Sequence, residues 1–120
     1  MEDFLENFFF RWQGTGSRFI CNPPVMDTDE DYICYFPSRL EVLGHLHNNG
    51  WEWTNNDGSH YKDIPDFLTF RKDHYNLIVT DDDRFYQLFC LATDVATIKN
   101  IREKEERIRL FQAILYGVYK

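Results

Sequence analysis

Asp27, Asp29 and Asp31 occupy alternate positions and lead into the apolar run DYICYF. In an extended chain, residues two apart point to the same side, roughly 6–7 Å apart along it. Carboxylates placed this way repel one another unless water or a cation separates them. Asp29 and Asp31, at the mouth of the run, suit magnesium, a hard ion that takes a few carboxylates and completes its shell with water or phosphate oxygens. Two such ions can clamp the attacking and leaving oxygens of a phosphoryl displacement. The alternative is a solvated acidic loop, and D-x-D alone does not separate the two.

The residues just upstream sharpen the choice. In GTGSRFICNPPVMDTDEDY, residues 14–32, Gly14 and Gly16 allow a turn or a close backbone approach. Gly16-Ser17 offers bare amide groups and a hydroxyl suited to a triphosphate. Arg18 adds a charged fork for a phosphate. A Gly-Ser turn followed by D-x-D at the start of an apolar strand is more specific than either part alone.

Other candidates read more plainly. Asp81-Asp82-Asp83 precedes a helical pattern, where acids cap amide groups and complement the helix dipole. His45 and His47 lie two apart on a predicted helix and face different ways, which does not suit a zinc pair. His60 and His74 are isolated. Trp51 and Trp53 suit either base stacking or an ordinary aromatic core. Arg71 and Lys72 are within reach of a phosphate or belong to a simple turn. IREKEERIR reads as a solvated helix start, with Glu and Arg at helical spacings.

The elements that must position these groups follow from patterning. Residues 2–9 suit a short helix, although Phe9–Gln13 also reads as a strand. Pro23-Pro24 extends the next loop. Asp31–Phe36 is a predicted strand that stops at Pro37. Ser38 and Glu41 form a capping box that opens a helix, which Asn49-Gly50 closes. Trp51–Trp53 suits a short strand, and residues 54–66 read as loop. Phe67–Arg71 and Tyr75–Thr80 read as a hairpin. Two amphipathic helices follow, from about Asp82 to Thr97 and from about Glu103 to Tyr116. The second carries Ile108, Phe111, Leu115 and Val118 on one face, with Gly117 near its end.

The totals bound the function. A chain of 120 residues favours one domain, here 1–120. With 11 Phe, 7 Tyr and 3 Trp it can bury a core, which argues against wholesale disorder. Its net charge of −7 disfavours coating nucleic acid. Cys21, Cys34 and Cys90 are odd in number and lack CxxC spacing, so a disulfide framework is not expected and a cytoplasmic setting fits. No apolar run approaches the roughly 18 residues of a membrane span.

Gly16-Ser17, then eleven residues, then Asp29-Glu30-Asp31-Tyr32 resembles the G-[GS] … [DE]-x-[DE]-h signature of the DNA polymerase beta-like nucleotidyltransferases. FRKDHYNLIVTDDDRFYQLFCLATDV and EERIRLFQAILYG also resemble small bacteriophage-encoded members of that group. The resemblance implies an α+β fold, a small mixed sheet with helices packed mainly on one face. It implies Mg2+, as one or two ions, on Asp29 and Asp31, and a nucleoside triphosphate (NTP) held near Gly16, Ser17 and Arg18. Members of the group usually place a third carboxylate on a later strand, often as a base. The fitting position here, on YNLIVT, holds Asn76, an amide that cannot take a proton. Asp73, at the turn before it, is the alternative. The implied activity is nucleotidyl transfer to a hydroxyl on RNA such as tRNA, on a host protein or on a small molecule. The alternative is a nucleotide-binding or host-factor-binding protein without transfer. Members that polymerise carry further domains, so a second copy or a partner is expected to complete the site.

Overall fold

A computed structural model describes residues 1–26, 29–54 and 67–117. The readings made of Asp27, of Val118 and of 55–66 lie outside these. The chain begins with α1 (Glu2–Phe8), β1 (Arg11–Thr15) and one turn of helix, α2 (Ser17–Ile20). Then come β2 (Glu30–Tyr35), α3 (Arg39–Asn48) and β3 (Glu52–Trp53). The hairpin β4 (Leu68–Lys72) and β5 (Tyr75–Thr80) precedes α4 (Asp83–Ile98) and α5 (Lys104–Tyr116). The five strands form one sheet in the order β1-β2-β5-β4-β3. Only β2 and β5 run parallel; the other pairs are antiparallel.

Local chemistry explains most boundaries. Ser38 Oγ accepts the Glu41 amide at the start of α3, as the capping box predicts. Asp82 accepts the Phe85 amide at the start of α4. Gly117, at φ 70°, closes α5 in the left-handed region. The Asp73-His74 turn reverses the chain between β4 and β5, with Asp73 at φ 55°. The run Phe9–Gln13 resolves into both readings made of it: α1 stops at Phe8, and β1 starts at Arg11 and extends to Thr15.

The sheet alternates strictly, and each side feeds its own core. Tyr32, Cys34, Leu77, Val79, Leu68 and Phe70 pack with Leu5 of α1 and with Val42 and Leu46 of α3. Ile33, Tyr35 and Ile78 pack with Ile20, Phe85, Phe89 and Phe111. The two long helices therefore share one face with α2, as expected. The opposite face is not open, because α1 and α3 cover it. The apolar residues of DYICYF and YNLIVT point both ways, and a strand buried on both sides needs that continuous apolar pattern. Among the described residues, no helix is long and apolar enough to cross a membrane.

One row across the sheet matters most for function. Thr15, Asp31, Asn76, Arg71 and Glu52 are successive partners on β1, β2, β5, β4 and β3. Asp31 and Asn76 have the same parity as Ile33 and Ile78. Their side chains therefore project from the α4–α5 face.

Candidate functional site

The acidic pair and Asn76 meet at this row. Asn76 Nδ2 donates to Asp31 Oδ1 at 2.9 Å and to Asp29 Oδ2 at 3.2 Å. The two carboxylates therefore converge on one amide NH2 group. Arg71 pairs with Asp29 from β4, Nη1 to Oδ2 at 3.1 Å. An amide and a half-exposed guanidinium thus offset two negative charges at the end of β2.

Gly16 is the other half of the arrangement. Its φ of 78° lies where side chains are rarely accepted, and a Cβ there would overlap Asp31 Oδ2. The Gly16 carbonyl accepts the Phe19 and Ile20 amides, which starts α2. Gly14 lies inside β1 and is not a turn. It makes a close approach, since a Cβ would stand 2.8 Å from the Phe19 ring.

Burial is the largest influence on Asp31 and pushes its carboxyl above the usual 3.8. The Asn76 hydrogen bond pulls it back, Asp29 pushes it further up, and Arg107 and Arg71 pull it down. A carboxyl raised by folding stabilises the protein when protonated, and that contribution is lost as pH rises through the raised value. At neutral pH the ionised Asp31 therefore costs stability. Asp31→Asn keeps an oxygen for Asn76 to donate to and removes the charge. We expect it to raise the denaturation midpoint at pH 7, with the gain vanishing below pH 3.8. Paired urea titrations at the two pH values measure this.

The pair opens onto a cavity of about 440 Å3 between the sheet, α2 and α5. Thr15, Gly16, Ser17, Asp29, Asp31 and Asn76 line the sheet side. Arg102, Lys104 and Arg107 line the α5 side, with Ile78, Phe89, Ile108 and Phe111 between.

No protein-family model matches the sequence, and no curated protein matches it. Among solved structures, the conserved protein GrpB of Enterococcus faecalis is similar, with a TM-score of 0.52 at 12% identity. The likeness covers 97% of this chain and 86% of GrpB. The two share an α+β architecture, with helices packed on a mixed sheet. At that identity the likeness speaks for architecture alone, and the chemistry rests on the residues in place.

Of the residues singled out in the sequence, Asp29, Asp31, Asn76, Gly16 and Ser17 come together at the cavity. Arg18 does not. Its Nη1 lies 3.3 Å from Glu30 Oε2, and its Nη2 donates to the Met26 carbonyl at 2.7 Å. Glu30 neighbours Asp31 on β2, so it points to the opposite side of the sheet and holds Arg18 near Tyr32 and His74. The phosphate fork expected of Arg18 is therefore not supplied there. Asp73 stays in the exposed hairpin turn and does not line the cavity. Trp51 is buried against Phe4, and Trp53 lies on β3 away from this site.

The cations that do line the cavity come from IREKEERIR, read as a solvated helix start. Arg107 lies four residues before Phe111, the one buried residue of α5. That spacing places it over the buried face, and this was the available signal. Glu105 and Arg109 do form the exposed i,i+4 pair expected of such a segment, at 3.7 Å.

As a cation site, Asp29 and Asp31 supply two carboxylates aimed at one point. Among the described residues no group of three or more His, Cys, Asp or Glu side chains meets. The donor set fits a hard ion that keeps water or phosphate oxygens for the rest of its shell. It does not suit a soft metal that needs thiolates and imidazoles.

Proposed function

We propose that the chain is a magnesium-dependent nucleotidyltransferase that binds a nucleoside triphosphate in the cavity between β2 and α5. The observation that carries this reading is the convergence of Asp29 and Asp31 on one point beside Gly16. Holding two partly buried like charges side by side is costly, and a site that does so has a use for a cation. Magnesium bound there would neutralise charge on the reacting phosphate. Asp29 and Asp31 hold it, Gly16 leaves room for Asp31 next to the ligand, and Ser17 lines the cavity where the phosphates enter. In the reaction, an acceptor hydroxyl oxygen bonds to the α-phosphorus. The bond from that phosphorus to the oxygen bridging to the β-phosphate breaks, pyrophosphate leaves, and the hydroxyl proton passes to water. The acceptor is a hydroxyl on RNA, on a protein or on a small molecule.

A second reading has its own support. Asn76 occupies the place opposite Asp31 where a third carboxylate would take the acceptor proton, and an amide cannot do so. The same pocket then binds a nucleotide without transferring it.

Two measurements decide. Each of ATP, GTP, CTP and UTP is added with magnesium and the melting temperature followed. A ligand at 100 times its dissociation constant stabilises by about 2.7 kcal/mol. The same four, labelled at the α-phosphate, are incubated with the protein and a cell extract. Label moving onto an acceptor, with Asp29→Asn and Asp31→Asn inactive, is the expected result. A thermal shift without label transfer leaves the binding reading. Unchanged melting with all four removes both.

A further inference from the structure

We propose that Arg102, Lys104 and Arg107 form the receiving wall for the distal phosphates of a linear triphosphate. This rests on reading the cavity as a nucleoside triphosphate site, and it assigns the end of the ligand that the acidic pair cannot hold.

The argument starts from charge. The sequence has 20 acidic and 13 basic residues, so an arbitrary patch of its surface is acidic. Yet three cations line the cavity that also holds the acid pair. Arg11, Arg18, Arg39, Arg71 and Arg109 each pair with a carboxylate. Among the described residues, Arg102, Lys104 and Arg107 have no carboxylate at ion-pair distance. Three cations without an ion pair, gathered at one cavity in a chain of net charge −7, fit an anionic ligand.

The two guanidinium groups are also held in place. Arg102 Nη1 donates to the Pro23 carbonyl at 2.6 Å. Arg107 Nη1 donates to the carbonyls of Ile101 at 3.2 Å and Arg102 at 2.8 Å, with Cys21 Sγ at 3.7 Å. Each arginine is anchored through one nitrogen. Nε and Nη2 then have no hydrogen-bond acceptor among the described residues. A guanidinium fixed by carbonyls keeps its full charge and presents its other donors as a preset fork, the geometry that phosphate oxygens accept.

The opposed walls select the ligand class. A simple anion would use the basic wall but ignore Asp29 and Asp31. An acidic peptide would set carboxylates against that pair with nothing between. A linear triphosphate carries charge at both ends of its run, so one end meets a cation held by the acids and the other meets the basic wall. Affinity should therefore climb with phosphate number, and the wall should bind even without a nucleoside.

The test is calorimetric titration of the full chain with sodium tripolyphosphate, pyrophosphate and orthophosphate, with magnesium and without, beside the magnesium–nucleoside triphosphates. Wild type is expected to bind tripolyphosphate at least about tenfold more tightly than orthophosphate. The Lys104 side chain makes no hydrogen bond or ion pair among the described residues, so Lys104→Gln should fold normally and weaken tripolyphosphate about tenfold. Adding Arg102→Gln and Arg107→Gln should raise the loss to about a hundredfold or more. Asp31→Asn should leave metal-free tripolyphosphate binding in place. Nucleotide binding that is equal in wild type, Lys104→Gln and the triple variant overturns the wall and leaves the nucleotide reading standing. Tripolyphosphate binding that needs the three cations, with no nucleoside triphosphate bound, keeps the wall and removes the nucleotide reading.

Discussion

Gly16→Ala is expected to lower stability by about 3 kcal/mol and to abolish any magnesium-linked stabilisation. Two costs add. At φ 78° and ψ −178° the backbone sits in a region that is nearly glycine-only, where another residue costs about 1–3 kcal/mol. The new methyl would also overlap Asp31 Oδ2, so one of them must move. Asp31 is held by Asn76, and Gly16 is held by the α2 amides that bond its carbonyl. Neither can yield without breaking a hydrogen bond. Gly14→Ala is the control: its methyl meets the Phe19 ring, a partly exposed side chain, and Gly14 does not lie in the left-handed region, so no backbone cost is added. Gly14→Ala should be the milder of the two and should retain the magnesium response. Chemical denaturation with and without magnesium compares them. Equal losses, or a Gly16→Ala protein that still responds to magnesium, would show that Gly16 is not what seats Asp31.

The elements were legible wherever the signal is local. Ser38 with Glu41, Asp82 with Phe85 and Gly117 each mark a helix end through groups at most three residues away, and the structure uses all three. The periodicities of α4 and α5 are local in the same sense. The meeting of Asp31 with Asn76 is not. It depends on β2 lying parallel to β5 in one register, across 45 residues of chain. A slip of one residue would turn Asn76 to the other face. Nothing in either strand alone sets that register; only the resemblance to a known signature singled out Asn76. Arg18 went the other way for a related reason. Its place after Gly16-Ser17 suggests a fork for a phosphate, but α2 and Glu30 carry its side chain across to the opposite face of the sheet. Arg102, Lys104 and Arg107 were hidden by their surroundings. A run of alternating charge reads as solvated until the helix rotation is known, and α5 rolls Arg107 toward Phe111.

Asn76→Asp is the sharpest probe of what the acidic pair is for. In the native protein the amide donates to both Asp29 and Asp31. The substitution replaces that shared donor with a third carboxylate at the same distances. Two unit charges 4 Å apart interact by about 4 kcal/mol at an effective dielectric near 20. Arg71 offsets part of this through Asp29, but it is half exposed and is screened. The three carboxyls should respond by holding a proton among them, which raises their folded values above those of the unfolded chain. Stability is then retained below the unfolded value and lost as pH rises through the folded one. Without metal, Asn76→Asp should therefore match wild type near pH 3.5 and fall about 2–4 kcal/mol below it at pH 7. Magnesium should reverse the loss at pH 7, because three carboxylates around one point make a stronger site for a hard cation than two do. The variant should then respond to magnesium more steeply than wild type. If slow proton removal limits the wild-type reaction, label transfer should rise by about a hundredfold, the range that a positioned base contributes. A variant with the same stability at both pH values, indifferent to magnesium, would mean that the two aspartates and Asn76 form only a hydrogen-bonded end to β2. Recovery with magnesium but no transfer would mean that the pocket holds its ligand without acting on it.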